Sequence, residues 1–286
     1  MTNDPEVLRY AAFTTDPEGG NPAGVVLDAT GLSDAAMQDI ATSVGYSETA
    51  FLTPTGEAGR YAVRYFSPLA EVPFCGHATV ATAVALAERL GPGELTFHTP
   101  VGEVPVVVRP GDDGPAATLS SVEPHQEPVA AADLAEALAA LDWSAGELDP
   151  ALPPVIAFAG ARHLVLAAAD RKRLAALDYD FERLKSLMLR LDLTTLQLVW
   201  RESPTVFHVR DPFPVGGVVE DPATGAAAAA LGGYLREIGL VEPAAVLTLH
   251  QGHDLGRPSL LTVELRAADP RVHVSGTAVR IPDGTA

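Results

Sequence analysis

Residues Val219–Leu235 read VEDPATGAAAAALGGYL, and this stretch decides the fold. An acidic pair and a proline precede a glycine, and the alanine run that follows has to be helical. The stretch Ala70–Gly91, AEVPFCGHATVATAVALAERLG, is built in the same way, with E-x-P-x-x-G followed by a helix of small residues. Gly76 of the first copy stands 149 positions before Gly225 of the second.

The correspondence continues on both sides of these stretches. Leu95–His98 (LTFH) follows the first helix, and Leu247–His250 (LTLH) follows the second. Upstream, each half has a helix and then a strand, with Ser33 and Asp180 as the predicted N-cap residues. The period is far too long for a solenoid repeat, so the pattern predicts an internal duplication into two domains.

Two helices, predicted at His77–Leu90 and Ala226–Ile238, have small apolar residues on nearly every side. A helix without a polar face is typical of a buried helix, and small side chains let strands approach it closely. The alternative is a surface helix that is rich in alanine through composition alone. We predict an α+β fold of two pseudo-repeated domains, each a curled, β-barrel-like sheet around a buried central helix.

The predicted domains are residues 1–124 and residues 125–270. The C-terminal strand, residues 271–282, has no counterpart before the middle of the chain, so it is a candidate to join the first domain. Residues 121–130 (SVEPHQEPVA) are rich in proline and acid and are predicted to be a linker. A helix is predicted directly after them, at Ala131–Leu141.

The bulk composition limits the class of protein. The chain has 286 residues, of which 47 % are hydrophobic and 20 % charged, which fits two globular domains. The net charge of −18 argues against nucleic acid and anionic membranes as partners, because both attract positive surfaces. The single cysteine, Cys75, and an N-terminus without a basic or apolar segment predict a reducing, cytoplasmic location and no signal peptide.

Three polar residues stand out at the predicted helix starts and the neighbouring strands. Glu48 lies in the apolar strand SETAFL, either facing solvent or pointing into a cleft as an acid/base. The 149-residue offset of the duplication makes Gln197 the counterpart of Glu48 in the second half. Because Gln197 is a neutral amide, the chain has one strong acid/base at this position rather than two. His77 begins a helix whose dipole favours a neutral imidazole, in a structural or a functional role. Asp221 is either a helix-capping acid or a group that holds a substrate amine or hydroxyl.

Other candidates carry weaker signals. A racemase with two thiols needs a second cysteine, but the counterpart of Cys75 is Thr224, so we interpret Cys75 as a small buried apolar residue. His250 and His253 (HQGH) are weak evidence for a metal site and fit a turn better.

The segment PEGGNPAG, residues 17–24, has neither a G-x-G-x-x-G nor a P-loop pattern. We interpret Gly20, Asn21 and Pro22 as a turn at a cleft edge, with Asn21 as a candidate substrate contact.

Several stretches together carry a resemblance to a known family. They are GNPAGVVLD, SETAFL, RYFSP followed by EVPFCGHATVATA, EDPATGAAAAALG and QGHDLGRPS. In this order, and over essentially the whole chain, they resemble the PhzF-like phenazine-biosynthesis family, which has the diaminopimelate epimerase fold. The resemblance implies two α/β domains with the site between them, no cofactor, no metal, and commonly a homodimer. The best-known member isomerises a dihydro-hydroxyanthranilate by moving a proton.

The family's functional residues fall on specific positions here. Its acid/base glutamate falls on Glu48, its active-site histidine on His77 and its aspartate on Asp221. The position after the second glycine is a serine in the characterised enzyme and is Ala226 here. This departure removes a hydroxyl donor at the helix start.

The sequence therefore predicts a cofactor-independent isomerase that moves a proton on a small carboxylated metabolite. Glu48 would take and return the proton, while His77 and Asp221 would hold polar groups of the substrate. Backbone amides at Gly76–His77 and Gly225–Ala226 would bind its carboxylate. The alternatives are an epimerase that uses Glu48 with another base, and a non-catalytic metabolite-binding homodimer, which the loss of the serine at Ala226 favours.

Overall fold

A computed structural model describes residues 5–282 of the chain. Contacts divide these residues into two compact units. The first unit comprises residues 5–120 together with residues 275–282, and the second comprises Ser121–Val274. The last strand of the chain begins in the second unit and ends in the first.

The first unit consists mainly of strands, with one long helix and one shorter helix. Its elements in chain order are β1 (Leu8–Ala12), β2 (Asn21–Val26), α1 (Asp34–Val44), β3 (Glu48–Pro54), β4 (Arg60–Phe66), β5 (Glu71–Val72), α2 (Gly76–Leu90), β6 (Gly93–Thr99), β7 (Gly102–Gly111) and β8 (Gly114–Ser120). The end of the C-terminal strand, whose full range is Asp269–Arg280, completes this unit.

The sheet of the first unit closes on itself as an eight-stranded barrel. Starting from the C-terminal strand, the paired order is β1, β2, β3, β4, β6, β7 and β8, and β8 pairs with the C-terminal strand again. The β2–β3 and β4–β6 pairs are parallel, and the other pairs with a defined register are antiparallel. Tyr10 lies opposite Arg280 in the pair that β1 forms with the C-terminal strand.

Helix α2 fills this barrel. Its residues His77–Ala87 are all buried, and it packs on β1, β2, β3, β7 and β8. Helix α1 lies on the outside, where Met37 and Ala41 pack with Phe51 and Phe66. The predicted cap at the start of α1 is confirmed, because Ser33 accepts a hydrogen bond from the amide of Ala36.

The second unit has the same kind of order with more helices. Its elements are β9 (His125–Pro128), α3 (Ala131–Ala140), β10 (Val155–Phe158), β11 (Arg162–Ala167), α4 (Arg171–Ala175), α5 (Phe181–Leu191), β12 (Thr195–Arg201), β13 (Val206–Pro212), β14 (Glu220–Asp221), α6 (Gly225–Glu237), β15 (Ala245–Gln251) and β16 (Ser259–Arg266). Short 3₁₀ turns lie at Ala145–Glu147, Pro214–Gly216 and His253–Leu255. The C-terminal strand, β17 (Asp269–Arg280), begins here.

The strands of the second unit pair in the order β9, β10, β11, β12, β13, β15, β16 and curl around α6. Two glycines allow this close packing. A Cβ on Gly232 would lie 2.7 Å from a methyl of Val263, and a Cβ on Gly233 would lie 2.5 Å from Pro124. The predicted fold class, with a small-residue helix buried in each half, is therefore confirmed.

Helices α3 and α5 cover the outer face of this sheet with a core that includes Trp143, Leu184 and Leu198. The predicted cap of α5 is confirmed, because Asp180 accepts from the amide of Arg183. Within residues 5–282, no helix is long and apolar enough to cross a membrane.

The segment predicted as a linker holds a strand that the sequence did not reveal. Residues His125–Pro128 form β9, paired antiparallel with Val155–Phe158. Its sequence, HQEP, has no alternation of apolar and polar residues, because neither face of β9 is fully buried. The strand is formed by backbone pairing alone, which the side chains do not indicate. Strand β8, of seven residues, and strand β10, of four, were also missed; β8 opens with glycine and proline, and two prolines precede β10.

Candidate active site

The first candidate site lies at the N-terminal end of α2. Cys75 is the residue before the helix, and its carbonyl accepts from the Thr79 amide at 3.1 Å and from the Thr79 hydroxyl at 2.6 Å. The Tyr65 hydroxyl lies 2.6 Å from the same Thr79 oxygen, and burial raises the pKa of Tyr65, so it stays neutral. These contacts fix the direction in which the first turn of α2 presents its side chains.

Three reactive side chains, which we call the Glu48 cluster, meet there: Glu48, Cys75 and His77. The Cys75 thiol donates to Glu48 Oε2 at 3.5 Å, and His77 Nε2 lies 3.4 Å from the same oxygen. Cys75 Sγ is 3.4 Å from His77 Nδ1. The Glu48 side chain is 16 % exposed and that of His77 is 7 % exposed, so the Glu48 side chain is partly accessible to solvent while that of His77 is nearly enclosed.

Asn21 orients the imidazole of His77. Its side-chain nitrogen lies 3.2 Å from His77 Nδ1. An amide nitrogen can only donate, so Nδ1 accepts and the proton of the neutral ring lies on Nε2, the atom that faces Glu48. The prediction of a turn here was wrong for Asn21 and Pro22, which are the first two residues of β2, and Asn21 is 2 % exposed. Asparagine and proline are typical of turns, but this asparagine has a buried partner instead.

Sequence reasoning missed two members of this neighbourhood. Cys75 was interpreted as a packing residue, yet it contacts both Glu48 and His77. The Ser47 hydroxyl lies 3.4 Å from His77 Nε2. The signal for Cys75 was its position directly before the helix glycine, where a side chain points at the same space as the first helical residues. Among the described residues, none donates a hydrogen bond to Glu48 Oε1.

A second group of polar residues lies at the N-terminal end of α6, within the second unit. The Thr224 hydroxyl donates to Asp221 Oδ2 at 2.5 Å, and Gln251 links the two residues. The Gln251 side-chain nitrogen donates to the Asp221 carbonyl and to the Thr224 hydroxyl, both at 2.9 Å, and its oxygen accepts from the Thr224 amide at 3.0 Å. The Asp221 carboxylate is thus held by the Thr224 hydroxyl, from the same loop. Ala226 is the second residue of α6.

Both helices begin at a glycine, Gly76 in α2 and Gly225 in α6, and neither N-cap side chain bonds the first turn. The first amides of a helix have no acceptor inside it, so they are able to bind an anion. The structure therefore leaves the predicted carboxylate-binding amides without a side-chain cap.

Comparison with known proteins identifies the family. Residues 10–284 match the family described as phenazine biosynthesis-like protein, PhzC-PhzF. The chain belongs to the PhzC-PhzF family. It is 34 % identical over 285 residues to the uncharacterised isomerase YddE of Escherichia coli K12, with 96 % of each chain covered. It is 33 % identical over 279 residues to the trans-2,3-dihydro-3-hydroxyanthranilate isomerase of Pseudomonas chlororaphis, again with 96 % of each covered.

Solved structures agree with this assignment. The PhzF-family protein of Bacillus anthracis has a TM-score of 0.86 at 28 % identity, covering 96 % of both chains. The predicted family and the prediction of an isomerase are thus confirmed, and the chain is a PhzF-family isomerase.

Inside the second unit, this PhzF-family isomerase buries a chain of polar groups that starts at Asp211. Asp211 is fully buried and accepts from the Thr195 hydroxyl at 3.0 Å, and Thr195 lies 2.8 Å from His163 Nδ1. Burial raises the pKa of Asp211 well above its usual value, and the negative charges of Asp221 and Glu220 raise it further. Burial lowers the pKa of His163 to about 3. His163 is therefore neutral near pH 7, and the raised pKa of Asp211 favours its protonated form, since burial without a counter-charge disfavours the ionised state.

Gln197 is the counterpart of Glu48 in the second half of the duplication. It is fully buried in the second unit, and neither the nitrogen nor the oxygen of its side-chain amide has a hydrogen-bond partner among the described residues. A neutral amide at this position cannot exchange protons in the way a carboxylate does. This fits the prediction of one acid/base in the chain rather than two.

The Glu48 cluster is also the group that could hold a metal ion, since its ligand atoms lie within 4.8 Å of one another. Imidazole, thiolate and carboxylate are ligands of zinc. The predicted histidine pair, His250 and His253, lies elsewhere, in the second unit, at the end of β15 and in the 3₁₀ turn after it.

Proposed function

We propose that this PhzF-family isomerase moves a proton between two carbons of a small carboxylated metabolite, with Glu48 as the general acid/base and without a cofactor. The observation that carries the proposal is the environment of the Glu48 carboxylate. One oxygen, Oε2, faces a thiol and an imidazole N–H, and the other, Oε1, takes no hydrogen bond from the described residues. A carboxylate held on one side and open on the other is suited to take a proton and return it.

The steps follow from this geometry. Oε1 takes a proton from a carbon next to the electron-withdrawing part of the substrate, and the electron pair moves into the conjugated system. The Glu48 carboxyl then gives the same proton to a second carbon, so the proton count is unchanged. His77, fixed by Asn21, donates toward Oε2 from Nε2 and keeps the carboxylate in place between the two transfers.

In this proposal the amides at the start of α2 hold a substrate carboxylate, because the helix dipole and the uncapped first turn both favour an anion. The role of Asp221 as a substrate-binding residue remains a separate part of the proposal. Asp221→Asn keeps the size and removes the charge, so it is expected to raise KM for an amine-bearing substrate more than it lowers kcat.

The test is deuterium uptake from solvent into a panel of cyclic amino acids and hydroxy acids, followed by NMR. The panel includes trans-2,3-dihydro-3-hydroxyanthranilate, the compound named for the Pseudomonas chlororaphis relative. Glu48→Gln should lower uptake by at least about 10²-fold, since general acid–base catalysis contributes about 10²–10⁴ in rate. Ligand affinity should change much less. Glu94→Gln, an exposed position of the same unit, is the matched control and should leave uptake unchanged.

Two results would contradict the proposal. If Glu48→Gln exchanges deuterium as fast as the unmodified chain, another group is the base. If the variant loses binding together with rate, Glu48 anchors the substrate and does not transfer the proton.

A second candidate is an epimerase-type reaction in which Cys75 is the other acid/base. The observation behind it is that the Cys75 thiol, 3.4 Å from the His77 ring, is a second group of the cluster that could exchange a proton. Its contact with Glu48 Oε2, at 3.5 Å, would have to open so that the two groups stand on opposite faces of the stereocentre. Cys75→Ser separates the two candidates. For the isomerase, activity should stay within about one order of magnitude of the unmodified chain, because the thiol only packs and donates a weak hydrogen bond. For the epimerase, activity should fall by at least about 10²-fold and the product should carry an inverted centre.

A further inference from the structure

The Glu48 cluster combines three kinds of ligand atom that zinc prefers. Glu48 offers a carboxylate oxygen, Cys75 a sulfur and His77 an imidazole nitrogen, and these atoms all lie within 4.8 Å of one another. Zinc takes sulfur, nitrogen and carboxylate ligands in one site, whereas magnesium and calcium take oxygen ligands. The composition of the cluster therefore favours a transition-metal ion of the zinc type.

The spacing of the three ligand atoms fits one tetrahedral ion. Glu48 Oε2 lies 3.4 Å from His77 Nε2 and 3.5 Å from Cys75 Sγ, and Sγ lies 3.8 Å from Nε2. With zinc–sulfur bonds of about 2.3 Å and zinc–nitrogen or zinc–oxygen bonds of about 2.0–2.2 Å, two ligand atoms on one tetrahedral ion stand roughly 3.3–3.7 Å apart. Two of the three distances lie in this range and the third is close to it, so small movements of the side chains suffice.

The surrounding contacts hold two of the ligands in place. The Cys75 carbonyl accepts from the amide and the hydroxyl of Thr79, at 3.1 Å and 2.6 Å. His77 is held by Asn21, whose side-chain nitrogen lies 3.2 Å from Nδ1. To ligate through Nε2, the His77 ring carries its proton on Nδ1, and Asn21 turns its amide so that the carbonyl oxygen accepts that proton. A ligating histidine usually donates its other N–H to an oxygen in this way.

The charges of the cluster balance those of a divalent ion. One carboxylate and one thiolate neutralise it, so the positive end of the α2 dipole does not oppose its binding. As the metal–sulfur bond forms, the Cys75 thiol gives its proton to solvent. The Glu48 side chain is 16 % exposed, which gives an ion a route to the other two ligands. Three protein ligands leave the fourth position of the tetrahedron for water.

The second unit shows that the fold does not require this set of ligands. At the 149-residue offset of the duplication, the counterparts of the three ligands are Gln197, Thr224 and Ala226. An amide, a neutral hydroxyl and a methyl group are not the ligands that zinc selects. Helix α6 is buried and begins at a glycine as α2 does, so the set of zinc ligands is a feature of the first unit alone.

We propose that Glu48, Cys75 and His77 bind one zinc ion, and that this ion inhibits the enzyme. A carboxylate that is bound to zinc is a much weaker base, because the positive ion stabilises its negative charge. Bound zinc would therefore prevent Glu48 from taking and returning a proton. The inhibition rests on the proposed function of Glu48, whereas the binding of the ion does not.

Co²⁺ is the probe for binding, applied to the full chain without a histidine tag. Cobalt replaces zinc in tetrahedral sites, and a bond to a thiolate gives a charge-transfer band in the near ultraviolet. Cys75 is the single cysteine of the chain, so this band reports on one residue. We expect the band to saturate at one ion per chain, and we expect Zn²⁺ to abolish it and Mg²⁺ to leave it unchanged.

The variants assign the ion to the three ligands. Cys75→Ser should remove the band. Glu48→Gln and His77→Gln should each weaken Co²⁺ binding by at least about 10²-fold, since losing only a hydrogen-bond partner of a ligand costs about 10–100-fold. Far-UV circular dichroism shows whether each variant is folded, and Glu48→Gln keeps the size of a partly exposed side chain. His98→Gln removes a histidine of the same unit that lies 3.5 Å from a carboxylate, so it is the matched control and should leave the band unchanged.

Two outcomes would overturn the binding site. The first is the absence of a saturable charge-transfer band in the unmodified chain. The second is a band that keeps its affinity in both Glu48→Gln and His77→Gln, which would mean that Cys75 alone binds the ion.

The inhibition is tested in the deuterium-uptake assay, as the ratio of uptake with and without Zn²⁺ for each variant. At saturation, Zn²⁺ should lower uptake by the unmodified chain by at least about 10²-fold, the contribution of general acid–base catalysis. The same concentration should leave the uptake of Cys75→Ser unchanged. Binding without inhibition would overturn the inhibitory role of the ion if Glu48→Gln is inactive. If Glu48→Gln exchanges deuterium normally, it is the proposed function of Glu48 that fails.

Discussion

The acidic residue that opens the repeated motif forms a buried ion pair in the second unit, and its removal should be costly. Arg210 donates from Nε to Glu220 Oε1 at 3.0 Å and from Nη2 to Oε2 at 2.5 Å. The Arg210 side chain is 9 % exposed and that of Glu220 is 1 % exposed. The remaining donor of Arg210, Nη1, reaches the carbonyl of Ala175 at 2.8 Å.

Glu220→Gln keeps the shape of the side chain and removes its charge, which leaves the guanidinium buried without a counter-charge. Breaking one side of a buried pair destabilises a protein by about 3–5 kcal/mol. With a urea m-value of about 2 kcal/mol/M for a unit of this size, the unfolding midpoint should fall by about 1.5–2.5 M.

The tryptophans make this measurement specific to one unit. The chain has two, Trp143 and Trp200, and both lie in the second unit. Urea unfolding followed by tryptophan fluorescence therefore reports the stability of the unit that contains the ion pair. A fall in the midpoint of less than about 0.5 M would refute the reasoning, since it corresponds to about 1 kcal/mol, the value of an exposed pair.

The duplication supplies the matched control. Glu71 is the counterpart of Glu220, and it accepts from Arg64 in the same two-bond geometry, at 2.7 Å for each bond. This pair is about a third exposed on both sides, and Arg64 has a second partner, Asp34, at 2.6 Å. Glu71→Gln should therefore cost less than about 1 kcal/mol by far-UV circular dichroism. The double variant Arg210→Met, Glu220→Leu should recover most of the loss, because apolar side chains leave no unpaired charge.

Three further predictions concern buried groups. Burial raises the pKa of Asp211, so the folded state holds this proton more tightly than the unfolded chain and the free energy of unfolding should fall as pH rises above about 4. Asp211→Asn should reduce this slope, measured by urea unfolding with tryptophan fluorescence between about pH 5 and pH 8. His163 has a pKa of about 3 in the folded state, so the unfolded chain binds its proton more readily and the free energy of unfolding should fall as pH drops below about 6.5. His163→Gln should reduce this loss of stability at acid pH. Gly276→Ala would place a Cβ 2.2 Å from the buried Phe13 ring and should cost about 1–3 kcal/mol by thermal unfolding, against about 0.5 or less for Gly93→Ala, where no atom lies nearby. An equal melting temperature for the two glycine variants would contradict the packing at Gly276.

Much of the fold could be predicted because its central feature is local. A run such as residues 226–230, all alanine, has no polar face, so the only stable place for it is inside a sheet. The caps of α1 and α5 were predictable for the same reason, since Ser33 and Asp180 bond amides three residues away. Both central helices begin one residue earlier than predicted, because the glycine itself is helical, and α6 also ends one residue earlier, at Glu237.

What the sequence could not give is any contact that depends on long-range pairing. Strand β9 pairs through its backbone, so its polar letters HQEP contain no sign of it. Asn21 reaches His77 across 56 positions, and Cys75 reaches Glu48 across 27. Local rules assigned Asn21 to a turn and Cys75 to the core, and each is what those residues do most often. Only the closed barrel brings them to the start of α2.

The two units show how one scaffold accommodates different chemistry at the same place. In the first, the residue before the helix glycine is Cys75 and the residue after it is His77, and both contact the Glu48 carboxylate. In the second, the matching positions hold Thr224 and Ala226, and Thr224 is engaged by Asp221 and Gln251. The groups that we propose for proton transfer therefore lie in the first unit, whereas burial raises the pKa of the buried acid of the second unit, Asp211, and favours its protonated form. The duplication repeats the buried helix and the glycine at its start. The two halves differ in the side chains directly before and after that glycine.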